Sequence, residues 1–234
     1  MNTVGIVIGI FFLVCVIVGW ARGFFRVLIS VAGTIASLLV AVYFAPYVSS
    51  FLQEKTDMDE KLAVYIEQKL EFSDIGEETS KGVQVAIIDN LPLPDTLKDN
   101  ILDNNNLETY DILKATGVYD YIAKSIAMVI LNGAVFLVLI LMCRVIFLFL
   151  GRLAKGLTTI PIVNSINRIG GAFLGAIQSL IAIWVFFLVL SITSTLSISA
   201  SVIEQINDVW VLKLLYDNNV LLDIVGDLTK VLFH

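Results

Sequence analysis

The residues of this chain that could do chemistry are few and scattered. Its one histidine is His234, so neither a histidine metal site nor a Ser-His triad can be built. Cys15 and Cys143 each lie inside a long apolar run, where neither a disulfide framework nor a metal cluster finds partners, and they say nothing of redox compartment. The 21 carboxylates offer general acids and bases, but they stand in solvated runs whose ordinary role is a hydrated face. No P-loop or dinucleotide-binding fingerprint occurs. The basic residues are few and flank apolar runs, which disfavours nucleic acid as a partner. The reading is of a chain that is not an enzyme, with no catalytic residue, no cofactor and no metal.

What stands out instead is small or polar residues inside apolar sequence. Gly5-x-x-x-Gly9, Gly19-x-x-x-Gly23 and Gly171-x-x-x-Gly175, the last extended by Ser179, have the spacing that lets helix backbones approach closely in lipid. Asn132 and Gln178 are lone amides within apolar runs. A hydrogen bond across a helix bundle contributes about 0.6 kcal/mol on average, so packing is their expected role. Arg144 interrupts another apolar run, and a cation deep in hydrocarbon costs several kcal/mol. No acidic residue lies in any such run to pair with it. It is therefore expected to snorkel toward the interface where Arg152 and Lys155 gather.

Long helices in lipid must position these residues. The chain of 234 residues is 58% hydrophobic and 15% charged, against roughly 45–50% and about 25% for a soluble domain, and its mean hydropathy is +0.89. The apolar residues come in blocks rather than at amphipathic periods. Val4 to Trp20 carries no charge and is just long enough to cross about 30 Å of hydrocarbon. With no positive segment ahead of it and no small-x-small cleavage site after it, this run reads as a retained span rather than a signal peptide. After the short basic link 21–26, Val27 to about Val48 forms a second span that closes near Pro46, and Gly23 relieves the tight turn of an antiparallel hairpin. Ser125 to Cys143, with its extension to Leu150, predicts a third span. A linker to Arg168 contains Pro161, and Gly170-Gly171 opens a fourth span reaching about Ile192. The fold class is all-α, an integral membrane protein of four transmembrane helices with short interfacial amphipathic ones.

Between the second and third spans, residues 53–120 carry 16 carboxylates and the turn clusters 91–95 and 103–106. Leu62, Ile66 and Leu70, then Ile112, Leu113 and Ile122, recur at one-face spacings, predicting short helices that rest on the bilayer or on one another. From 196 the chain turns amphipathic, reading as one or two interfacial helices. The segments are thus 1–50, a membrane hairpin; 51–120, an acidic loop with short helices; 121–195, the third and fourth spans; and 196–234, an amphipathic tail.

Lysine and arginine near membrane ends set topology. Arg22, Arg26, Arg144, Arg152, Lys155 and Arg168 flank the two short links, which contain no acidic residue, while the other cations are lysines lying beside all the carboxylates. The short links are expected in the cytoplasm, with the acidic loop and both termini outside.

Two stretches carry a more specific likeness. Gly19-Trp-Ala-Arg22-Gly23-Phe24-Phe25-Arg26, followed by an apolar helix containing Gly33, resembles the G-x-x-R-G-F-x-R hairpin of the colicin V production protein (CvpA) family. Pro161 to Gly175, with Asn167, Arg168 and Gly171, is similar to that family's D-R-L-L-G-x-x-F-G entry into its last helix. The resemblance covers roughly residues 1–50 and 120–230. Asn167 stands where family members usually have Asp, Gln178-Ser179 where many have Arg or Lys followed by Gly, and the acidic loop is longer than in compact members. The resemblance implies a protein of the bacterial inner membrane associated with production or export of a peptide toxin, with no established chemistry. Its implied partners are the lipid bilayer and membrane or envelope proteins, with homo-oligomers as a further expectation. The rival reading is a small channel or transporter subunit whose oligomer encloses a path lined by Asn132, Gln178 and the Ser/Thr strip at 191–199.

Overall fold

The computed structural model describes residues 2–69, 81–91, 93, 95–154, 165–194 and 197–231. Among these the secondary structure is helical throughout: α1 (Thr3–Arg22), α2 (Phe24–Lys55), α3 (Met58–Lys69), α4 (Lys81–Asp89), α5 (Asp95–Asp103), α6 (Leu107–Leu113), α7 (Val118–Ala154), α8 (Ser165–Ile192), α9 (Ser197–Asn207), α10 (Trp210–Asp217) and α11 (Val220–Val231). Four helices are long and apolar enough to cross a membrane: Thr3–Arg22, Phe24–Lys55, Val118–Phe149 and Ser165–Ile192. Their large apolar side chains are widely exposed, among them Ile17, Leu39 and Leu141 at 65–67%. So much contiguous apolar surface requires a hydrocarbon solvent. The chain is a multi-pass membrane protein.

The residues gather into two compact units. The first comprises residues 1–44 and 136–186, that is, α1 with parts of α2, α7 and α8. Val27 and Val31 of α2 pack with Leu174 of α8, flanked by Phe24 and Ile177. The second comprises residues 45–135 and 187–234. Here the short helices of the acidic segment bury their apolar stripes against one another and against α7: Ala63 and Ile66 of α3, Ile88 of α4 and Ile101 of α5 share one core with Tyr121, Ile122 and Ile126. Tyr121 stacks on Tyr110 with ring centroids 4.8 Å apart, and its hydroxyl donates to the Ile101 carbonyl at 2.6 Å. The predicted face of Leu62 and Ile66 is thus a packing face; Leu70 lies outside the described residues.

The helices run past several expected boundaries. Pro46, near which the second span is expected to close, sits inside α2. A proline removes one backbone donor, but Ala41, Ala45 and Ser49, one helical turn apart, are all buried, and that packed face carries α2 to Lys55. The third helix begins at Val118, not Ser125, and Asp120 in its first turn accepts from the Thr116 N–H at 2.8 Å. The fourth begins at Ser165, ahead of the glycine pair. The tail forms three helices rather than one or two. Asp208 and Val209 make the first break, with no side-chain cap on α10, and Asn218 and Asn219 the second, with Asn219 Oδ1 accepting from the Leu221 N–H at 3.1 Å, the bond expected of an N-cap. Lys155, Pro161 and His234 lie outside the described residues.

Candidate functional site

The junction of α1 with the first turns of α2 and α8, which lies within the first unit, is built on Gly23. It is the single residue separating α1 from α2, and its φ of 80° and ψ of 162° fall in a region open essentially to glycine alone. Its N–H closes the last turn of α1 on the Gly19 carbonyl at 2.9 Å. The first residue of α2, Phe24, has an N–H with no partner in its own helix. Asn167 of α8 supplies one: its Oδ1 accepts from the Phe24 N–H at 2.9 Å. A Cβ on Gly23 would stand 2.5 Å from Asn167 Nδ2, so this glycine also makes room for the cap. An aspartate at 167 would offer the same oxygen.

The glycine spacings interleave around this turn. A Cβ on Gly19 would collide with the Gly171 carbonyl oxygen, and one on Gly171 with the Gly19 carbonyl oxygen and, at 2.8 Å, with Gly23 Cα. A Cβ on Gly175 would stand 2.6 Å from the Cys15 carbonyl oxygen, and one on Gly170 2.9 Å from the Phe24 ring. Backbone therefore rests on backbone between α1 and α8, and nothing larger than hydrogen fits. Ser179 continues the stripe fully buried, its hydroxyl donating to the Ala176 carbonyl at 2.7 Å. The Gly5-Gly9 spacing differs: among the described residues, Gly9 is exposed and has nothing within 4 Å of a would-be Cβ. Arg22, Arg26 and Arg168 are exposed around the junction.

Arg144 of α7 has neutral hydrogen-bond partners. Its guanidinium is held on α2, Nη1 donating to the Ser30 carbonyl at 3.0 Å and Nη2 to the Ser30 hydroxyl at 2.9 Å. Gln178 Nε2 of α8 donates to the same hydroxyl at 3.2 Å. Neutral acceptors thus do what no carboxylate was available to do. Gly33, one turn along α2, would place a Cβ 3.2 Å from Arg144 Nη1, so its lack of a side chain lets the arginine lie against the helix.

The family model described as colicin V production protein matches residues 4–73 and 113–215, well over half of the chain. The chain belongs to the colicin V production protein family. No curated protein and no solved structure matches it. The two stretches that resemble the colicin V production family's motifs are those that meet in the junction: Gly23 faces Asn167, Phe24 faces Gly170 and Gly19 faces Gly171. Residues 74–112 of the acidic segment lie outside the family match.

Other polar residues of this colicin V production family member sit in the second unit. Asn132 is 1% exposed. In the Ser/Thr strip, the Ser191 hydroxyl donates to the Phe187 carbonyl at 2.9 Å and lies 3.1 Å from the Tyr216 hydroxyl oxygen, and the Thr193 and Ser199 hydroxyls bond at 2.8 Å. Burial pushes the Tyr216 hydroxyl up to about 12, Ser191 opposing and Asp217 adding to the effect. Ser30, Gly33 and Gly170 are the contact residues that sequence reasoning had not assigned. Ser30 gives no sequence signal beyond the arginine that lacked a partner.

Proposed function

We propose that the chain is a non-enzymatic inner-membrane protein that serves toxin production or secretion, or envelope homeostasis, by holding a rigid helical junction against partner proteins. The observation that carries this is the junction itself. Its motif residues contact one another across α1, α2 and α8, through backbone and one side-chain cap, and its three arginines face outward. Such a use of motif residues supports a docking scaffold better than a substrate site. In the orientation favoured by the charge partition, this junction lies on the cytoplasmic side, its arginines against anionic headgroups and within reach of partners.

Crosslinking in native membranes with the full chain as bait tests the proposal. Recovery of secretion or envelope proteins, reduced severalfold by Arg22→Glu with Arg168→Glu, is the expected result. Recovery of the chain alone, or solute leakage through liposomes holding only the purified protein, overturns it, and the second outcome would favour the channel reading.

A further inference from the structure

We infer that the first unit carries a binding groove for an anionic phospholipid, with its phosphate at Arg22 and an acyl chain laid along α1. A cleft of about 180 Å³ runs beside the junction, walled by Phe11, Val14 and Val18 of α1, Val27 of α2 and Ala182 of α8, with Arg22 at one end. Gly19 and Gly175 contribute backbone to its lining.

Length fits this occupant. Phe11 to Arg22 is eleven residues along a helix, which at about 1.5 Å per residue is roughly 16 Å. That is about half of the roughly 30 Å hydrocarbon thickness, the depth of one leaflet. The groove therefore reaches from headgroup level to about the bilayer midplane, and its side-chain walls along that path are apolar apart from Gln178 of α8.

Charge fits it as well. Arg22 is exposed, and no acidic residue occurs in residues 1–44 or 136–186, the whole of this unit. Arg26 and Arg168 of the same junction are exposed cations too. With no carboxylate in the unit to neutralise them, the counter-charge must come from outside it, and at headgroup level in a bilayer that is lipid phosphate. A zwitterionic lipid supplies a phosphate together with its own cation. An anionic one supplies net charge, and one such contact changes affinity by about fivefold.

The inference rests on the reading of the arginines as headgroup anchors, but asks for one seated lipid rather than a diffuse attraction. Native mass spectrometry of the full-length protein separates the two, using phosphatidylglycerol and phosphatidylcholine with identical chains. The wild type should retain phosphatidylglycerol about fivefold more strongly. Arg22→Gln should abolish that preference, while Ala182→Phe, an exposed position where a larger side chain fills the groove without entering a core, should weaken both lipids severalfold and keep the preference. An unchanged melting temperature in both variants confirms that the fold is intact. No headgroup preference in the wild type overturns the groove and the anchors together. Loss of preference in Arg22→Gln with no effect of Ala182→Phe leaves the anchors standing and overturns the groove.

Discussion

Gly23 holds a backbone conformation that costs other residues on the order of 1–3 kcal/mol, and its neighbour Asn167 fills the volume where a side chain would stand. Gly23→Ala therefore loses twice, through strain and through displacement of the α2 cap, itself worth about 1 kcal/mol. Thermal unfolding in detergent should show Gly23→Ala destabilised by about 2 kcal/mol or more. Asn167→Ala should lose about 1 kcal/mol, while Asn167→Asp keeps the wild-type value, because a carboxylate oxygen also accepts from the Phe24 N–H and is favoured at a helix N-terminus. Equal losses in the Ala and Asp variants would show that the cap contributes nothing. The importance of these residues was legible from their resemblance to a family motif. Their mutual contact was not, because Phe24 and Asn167 lie 143 positions apart and no local periodicity joins them. Arg144 was visible as a cation with no acid in reach, but only the folded chain shows the Ser30 carbonyl and hydroxyl that hold it on α2.

At the level of helices, the α1–α8 contact is backbone against backbone at Gly19 and Gly171. Overpacking usually costs about 1–3 kcal/mol, and here neither neighbour is a side chain that can move aside. Gly171→Leu should lower stability by at least that amount, whereas Gly9→Leu, on an open face, should stay within about 0.5 kcal/mol. Parallel melts of the two variants decide it, and a Gly9→Leu loss as large as that of Gly171→Leu would place the packing face elsewhere. The four apolar blocks were readable as helices because lipid-facing segments need no partner to be recognised. Their ends were not, since they depend on details no apolar block shows: a buried Ala41, Ala45 and Ser49 face that carries α2 past a proline, and an asparagine cap that makes one of the two breaks in the tail. The short acidic-segment helices showed their apolar stripes in the sequence, but a stripe does not say which surface covers it. Here Ile88, Ile101 and Tyr121 do.

Across the whole chain, charge is partitioned as sharply as hydropathy. All 21 carboxylates fall in residues 45–135 and 187–234, and none in the unit that holds Arg22, Arg26, Arg144 and Arg168. The proposed orientation follows from this pattern, because cations near span ends favour the cytoplasmic side while long segments cross largely regardless of their acidic charge. Scaffold, headgroup anchors and lipid groove all depend on the glycine junction lying at the cytoplasmic face. Reporter fusions after residues 24, 85, 158 and 234 measure this directly. Activity of a cytoplasmic reporter at 24 and 158, and of an extracytoplasmic one at 85 and 234, is the predicted result; placement of 24 and 158 on opposite sides, or of 85 on the same side as 24, would contradict it.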